Sequence, residues 1–332
     1  MKLLEIKSEY YNNKIVKKNY IKKIYKKYHS SLFEYSDLLR KTDINKIEIT
    51  DKGLSAVSKA YGIKVFFPRH DLRSAPLESL NFGCYEEKEL QVILQIIPKH
   101  GNFLDIGANI GWYSLIIAKF YKKLKVHSFE PIKKTYDFLL KNIKCNFLSN
   151  VKVYNFGFYN KNKKITFYTY PEGTGNSSIQ NLSQSKSIQV AKCNVKVLDD
   201  FISKKKIKVD FIKCDVEGAE LFVFLGAKKV LLNNKPIVLC EMLRKWSKKF
   251  RYHPNDIILL FKRFNYRCFY ISSLSNINSL KKWGGGVQKQ KGFTYKKFKL
   301  NEIKKINDKT KQTNFLFFHN VKHLKIIENF CS

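Results

Sequence analysis

Short apolar runs that end in an acid or an asparagine recur through the middle of the chain. They are Phe103-Leu104-Asp105-Ile106, Val126-His127-Ser128-Phe129 before Glu130, Val151 to Asn155, Asp210 to Asp215, and Pro236 to Glu241. Between them lie segments with helical spacing: Trp112 to Lys119, Thr135 to about Lys144 behind Pro131, and Leu221 to Leu232. Asn255-Asp256 is placed to cap a further helix at Ile257 to Phe261, with strand-like runs at Tyr266 to Ile271 and Phe315 to Phe318. The periodic helix Glu89 to Ile97, closed by Pro98 and Gly101, precedes the first run. Strands alternating with helices predict a mostly parallel, doubly wound α/β sheet. Ligands of such sheets sit at the carboxyl ends of the strands, where Asp105, Glu130, Asn155, Asp215 and Glu241 would all project.

The flanks read differently. Residues 1 to about 50 are basic, with apolar positions at loosely helical spacing, and Lys64 to Phe67 before Pro68 reads as a strand and stop. The expected organisation is a mostly helical basic extension over 1–79, a main domain over 80–320 with its core at 100–245, and a tail over 321–332. Ile165 to Tyr170 and Ile188 to Val195 read as strands. The polar glycine loop Pro171 to Ser178 between them is longer than a hairpin needs and is expected to contact substrate. A polar stretch containing Gly284-Gly285-Gly286 separates the last strands.

Composition narrows the function classes. The net charge of +36 invites a polyanion partner, yet only seven of the 63 basic residues are arginines and the lysines are spread over the whole chain. Lysine is a point charge where arginine is a fork for phosphate and guanine. With Ile, Asn, Phe and Tyr abundant beside lysine, the charge reads first as compositional drift decorating solvated faces. The second reading is an anionic partner such as an acidic glycan, a nucleotide-sugar, RNA or a membrane surface, nucleic acid not being favoured. No run is long and apolar enough for a membrane span, and the first 30 residues have no apolar signal core. Seven scattered cysteines, with no Cys-x-x-Cys pair, argue for reduced thiols in a cytoplasmic protein. Oligomeric state is not legible.

The turn after the first core strand carries the candidate chemistry. Gly107-Ala108-Asn109 and Gly111 follow the pattern Gly-x-x-x-Gly, not the Gly-x-Gly-x-x-Gly that accepts a pyrophosphate. Asp105 would repel a phosphate and attract an ammonium. Glu130, about 20 residues on, has the spacing of an acid that accepts from both hydroxyls of a ribose. A ligand with an ammonium, a ribose and no phosphate is S-adenosyl-L-methionine. The expected cofactor set is Asp105, Gly107, Ala108, Asn109, Gly111, Glu130 and Asn155. Asp215, Glu217 and Glu241 are the candidate catalytic acids, Asp215 first among them as base or substrate anchor. Asp199-Asp200 reads as a helix cap, not a metal pair, and no metal is expected. A nicotinamide oxidoreductase and a basic RNA- or glycan-binding module are the alternatives.

Taken together, Asp105 to Gly111, Phe129-Glu130-Pro131, Asn176-Ser177-Ser178, Val197 to Asp200, Ile212 to Glu220 and Pro236 to Glu241 resemble the FkbM-type S-adenosylmethionine-dependent methyltransferases. The likeness covers roughly residues 80 to 245. It implies a class I methyltransferase fold, a Rossmann-like seven-stranded sheet with one antiparallel strand. It also implies O-methylation of a sugar, glycan or secondary metabolite. Two departures are Cys214, where an aliphatic or small residue is usual, and the bulky run Asn155-Phe156-Gly157-Phe158 near the expected adenine contacts. The first 60 residues match nothing in that family.

Overall fold

The computed structural model describes residues 2–69, 71–170, 173–180, 188–276, 293, 295–307 and 309–330. At the start, α1 (Leu3–Tyr11) folds back on α2 (Lys17–Ile24). The Tyr10 and Tyr20 rings stack at 4.7 Å, and Lys23 Nζ lies 2.7 Å from Glu9 Oε2. A π-turn (Tyr25–His29) carries the chain into α3 (Ser30–Arg40). Helix was also expected over 44–50; instead β1 (Ile44–Thr50), β2 (Gly53–Ser58) and β3 (Lys64–Phe66) form a small antiparallel sheet. Packing explains it. Ile44, Ala56 and Val65 turn inward and join the main core, while Ile49 and Leu54 near the hairpin turn stay exposed. The Asn142 side chain fixes β3 to the domain, accepting from Phe66 N at 2.7 Å and donating to Phe66 O at 3.0 Å.

After α4 (Ala75–Phe82) and α5 (Glu87–Ile96) come β4 (Gly101–Ile106), α6 (Trp112–Phe120), β5 (Leu124–Phe129), α7 (Lys133–Cys145) and β6 (Val151–Tyr154). β7 (Gly157–Phe158), β8 (Lys163–Tyr170), β9 (Gly173–Ser178) and β10 (Gln189–Lys196) make a second small sheet, followed by α8 (Leu198–Lys205). The main sheet resumes with β11 (Phe211–Cys214), α9 (Glu220–Leu225), β12 (Ile237–Glu241), α10 (Arg244–Ser247) and α11 (Pro254–Lys262). β13 (Tyr266–Asn276), β14 (Lys296–Glu302), β15 (Asn314–His319) and α12 (Leu324–Phe330) complete it.

Strand order in the main sheet is β14-β13-β15-β12-β11-β4-β5-β6. The pairs from β12 through β6 are parallel, and β15 runs against both β12 and β13. Each central strand is buried on both faces. In β4, Phe103 enters one core and Leu104 the other; in β11, Phe211 and Ile212 divide the same way. The continuous apolar runs in the sequence have this cause.

Three expectations are corrected. The sheet has eight strands among the described residues, not seven, because β14 adds a second antiparallel strand at the edge. Its sequence alternates Phe298 and Leu300 inward between lysines. The helix expected over Leu221 to Leu232 breaks after α9, where Gly226 lies so close to the Tyr159 carbonyl that an added Cβ would sit 2.6 Å from it. The cap of α11 is His253, whose Nδ1 accepts from Asn255 N at 3.1 Å while Asp256 Oδ2 accepts from His253 N at 2.9 Å. Asp199 does cap, but for the segment starting at Val230, accepting from Lys229 N and Val230 N at 2.9 Å each. Among the described residues no helix is long and apolar enough to cross a membrane. The Gly284-Gly285-Gly286 stretch, residues 171 and 172 of the expected flap, and Cys331 lie outside the described residues.

Candidate functional site

The first core strand delivers the chain into a turn that only glycine can make. Gly107 has φ +79°, and a Cβ there would lie 1.8 Å from the Asp215 carbonyl oxygen. Gly107 N and Ala108 N both donate to Phe129 O, at 3.1 and 3.0 Å, and Asp215 N donates to Ile106 O at 3.1 Å. The tips of β4, β5 and β11 are thereby tied at one point. A cavity of about 240 Å³ opens directly above it. Gly107, Ala108 and Asn109 form part of its lining, with Glu130, Asp215, Glu217 and Glu241 around them. The carboxyl ends of the strands meet here because parallel pairing puts them at one edge.

Glu130 is buried, and its two oxygens each accept one backbone hydrogen bond, Oε2 from Asn109 N at 3.1 Å and Oε1 from Ile132 N at 2.9 Å. Burial pushes its carboxyl up to about 7, against the pull of those two amides. Each oxygen keeps a lone pair for a ligand hydroxyl.

Asp105 is fully buried and is not part of the cavity lining. It lies beneath the floor. Ser114 Oγ donates to its Oδ2 at 2.6 Å, and Lys213 Nζ stands 3.8 Å from Oδ1, which has no hydrogen-bond partner among the described residues. Lys213 is the residue the sequence reading missed. It sits buried in β11, donates to Gly107 O at 3.2 Å and pairs with Asp215 Oδ2 at 3.2 Å. The neighbouring Asp215 and Asp105 hold its ammonium in the charged form, outweighing the desolvation that opposes it. A lysine in the middle of Phe-Ile-Lys-Cys was the signal: a buried cation needs anions on either side.

Two more expected cofactor residues are not on the cavity wall. Asn155 turns its amide to Glu130 O and Pro131 O, each at 3.0 Å, so it positions the acid loop from behind. Gly111, at φ +100°, begins α6, and its missing Cβ makes room for Leu139. Replacing Asn155 with alanine is expected to remove about 1–2 kcal/mol of stability, measured by urea unfolding, and to loosen Glu130.

The acid turn after β11 is braced from below. Glu220 Oε1 accepts from Val216 N and Gly218 N, both at 3.0 Å, and the Tyr252 hydroxyl lies 3.2 Å from its other oxygen. Glu217 takes φ +52° on this turn, and Ser178 at the end of β9 donates to its carbonyl at 2.7 Å. The Glu217 Oε2 atom is buried without a hydrogen-bond partner among the described residues. Carboxylate oxygens of Asp215, Glu217 and Glu241 come within 4.8 Å of one another. Burial, then the charge of Asp215, push the Glu217 and Glu241 carboxyls well above the usual range. The repulsion in such a cluster is relieved when Glu217 and Glu241 keep their protons or when a cation binds among the three acids.

The remaining wall comes from before the first core strand: Arg73, Ala75, Glu78, Tyr85 and Glu86. Glu86 has φ +48° and a carboxyl pushed up to about 7, by burial first. Glu220 reaches about 7 for the same reason. Six carboxylates line the cavity against three cations, Arg73, Lys213 and Lys245, in a chain of net charge +36.

These shifts set a pH dependence. Glu86, Glu130 and Glu220 hold protons up to about pH 7 in the folded chain but release them near 4.5 when unfolded. The folded state thus binds more protons in that window, so their contribution to stability falls as pH rises through it. His127 and His323, depressed to about 4 and about 3 by burial, act in the opposite sense below their ordinary 6.5. Above that pH only the carboxyls contribute. The ligand-free protein is expected to melt several degrees lower at pH 8 than at pH 6.5, read by calorimetry; a flat or rising profile would contradict the burial of these acids.

A doubly wound sheet with an acid-edged crevice at its carboxyl ends defines a Rossmann-like, nucleoside-type binding class. Residues 105–268, just under half of the chain, match the model of the methyltransferase FkbM domain, and the sheet has the class I methyltransferase arrangement. The chain is 27% identical over 165 residues to Methyltransferase 1 of Beauveria bassiana, covering 43% of this chain and 66% of that one. It is 29% identical over 159 residues to Methyltransferase sdnD of Sordaria araneosa, covering 39% and 61%. The match therefore spans just under two thirds of either relative. Among solved structures, methyltransferase FkbM from Methylobacillus flagellatus aligns over 72% of this chain and 52% of its own, at 17% identity and a TM-score of 0.39. An O-methyltransferase from Bacillus cereus, solved with SAH, aligns over 75% and 82% at 15% identity and a TM-score of 0.35.

Proposed function

We propose that this chain transfers a methyl group from S-adenosyl-L-methionine to an oxygen of a small-molecule or sugar acceptor. The observation that carries the reading is Glu130: a buried carboxylate held by two amides on the wall of a cavity that carboxylates dominate. A phosphate-bearing ligand would be repelled by the ionised acids there, whereas a cationic donor gains from them and favours release of protons from the others. The donor set fits such a ligand. Glu130 would take the ribose hydroxyls, the turn Gly107 to Asn109 would face the nucleoside side, and the buried Trp112 Nε1 on the cavity wall has a free hydrogen to donate. Asp105 would act through Lys213 and the floor rather than by direct contact. The likeness to Methyltransferase 1 of Beauveria bassiana and Methyltransferase sdnD of Sordaria araneosa supports the reaction class.

When bound, S-adenosylmethionine supplies a methyl group on a cationic sulfur, which the acceptor oxygen takes to leave a neutral thioether. This chain's own work is to hold the acceptor in line and to remove its proton. Asp215 would take that proton: it lines the cavity, and its Oδ2 is held by Lys213. Glu217 and Glu241 share protons beside it and pass the released one outward. The same carboxylate excess disfavours an anionic acceptor within the cavity and favours a neutral polyol such as a sugar. No metal is needed for this chemistry: turnover is expected to survive EDTA, and loss restored by magnesium would assign the three acids to a cation instead. Six described thiols are unpaired, which suits a reducing, cytoplasmic setting.

Titration calorimetry tests the donor. S-adenosylhomocysteine should bind and NAD should not, and Glu130→Gln should weaken binding about 10- to 100-fold, the worth of a charged hydrogen bond. Binding of NAD alone, or an unchanged affinity in Glu130→Gln, would overturn the reading. A labelled-methyl screen of neutral sugars and other polyols would then find the acceptor.

A further inference from the structure

The helices at the start of the chain carry an apolar surface that nothing among the described residues covers. Ile6 and Ile24, which α1 and α2 bury, belong to none of the three core clusters. Outside them, Leu4 is 73% exposed, Tyr11 69%, Val16 65% and Phe33 65%. Along α2, the π-turn and α3, the exposed side chains of Ile21, Tyr25, Leu32 and Tyr35 follow at spacings of four, seven and three, one stripe of a continuous helix. The helical period sets Lys17 and Lys18 one turn before Ile21, at the amino end of that stripe, with Lys22 beside it, and Lys26 and Lys27 continue the charge. Over residues 1–41, eleven basic residues face four acidic ones.

We propose that this helical arm docks the protein onto the surface of an anionic lipid bilayer. An amphipathic helix with a lysine-rich polar side and a Leu, Ile, Phe and Tyr side is the form that lies in the headgroup region, apolar face down. Two other occupants fit less well. A second copy laid along the stripe would bring Lys17, Lys18, Lys22, Lys26 and Lys27 against a helix that offers only Glu34 and Asp37 in return. RNA would use the lysines and tyrosines, but it gives no burial to Leu4, Val16, Ile21 and Leu32.

The test is flotation of the full-length chain with phosphatidylcholine vesicles, with or without phosphatidylglycerol as about a third of the lipid, at low and high salt. Binding to the anionic vesicles should exceed binding to neutral ones at least about tenfold and fall with salt. A triple variant, Ile21→Ser, Leu32→Ser and Phe33→Ser, keeps every charge and should bind about tenfold more weakly. A second, Lys17→Glu, Lys18→Glu and Lys22→Glu, should bind about a hundredfold more weakly. All six side chains are exposed, so unchanged circular dichroism and melting are expected of both variants; if either misfolds, the wild-type lipid and salt series decides alone. Equal affinity for neutral vesicles overturns the proposal, as does full binding by the serine variant. So does a dimer in light scattering that the serine variant dissolves, or an RNA affinity that outcompetes the vesicles.

Discussion

Gly107→Ala should cost about 4 kcal/mol or more in urea unfolding and abolish S-adenosylhomocysteine binding. The new methyl carbon would sit 1.8 Å from the Asp215 carbonyl oxygen, a backbone atom that β11 holds in place. Relief requires parting β4 from β11 at the point where Gly107 N, Ala108 N and Asp215 N make their cross-strand bonds. Gly53→Ala is the control. It shares a positive φ, +111°, but an added Cβ meets nothing within 4 Å, so it should show only the backbone cost of about 1–2 kcal/mol. If the two variants were equally mild, the close approach of the two strand tips would be wrong.

Asp215→Asn should lower kcat by about 10²- to 10⁴-fold while S-adenosylhomocysteine affinity stays within a few-fold. Asparagine keeps the shape and can still face Lys213, but it cannot take a proton. Glu217→Gln and Glu241→Gln should each cost less, because either neighbour can still relay the proton. A purely structural Asp215 would give the reverse pattern. Stability would fall with the loss of the Lys213 pair, 3.2 Å long, and kcat per folded molecule would hold. Measuring kcat, KM and unfolding on the same samples separates the two.

Much of this was legible from patterning. The buried parallel strands announced themselves as unbroken apolar runs, and the acids at their ends marked the right edge of the sheet. Glu130, Asp215, Glu217 and Glu241, with the Gly107 to Asn109 turn, do meet around one cavity. What the sequence hid was direction. Asp105 and Glu130 both follow apolar strands, yet one points under the floor and the other onto the wall. A strand's side chains alternate, and a residue inside β4 faces differently from one just past the end of β5. Asn155 ended its strand as expected but spent its amide on the backbone behind Glu130. Lys213 was hidden in plain view because a lone cation in an apolar run looks like composition in so lysine-rich a chain. β14 was lost for the same reason, since its inward Phe298 and Leu300 are framed by lysines.

Five of the residues around the cavity, Arg73, Ala75, Glu78, Tyr85 and Glu86, precede the segment that matches the family. The cavity wall is thus drawn from two stretches of chain, one inside the matched segment and one before it. Exchanging residues 71–87 between relatives should therefore transplant substrate preference while leaving the affinity for the methyl source behind, much as a new die fits an old press.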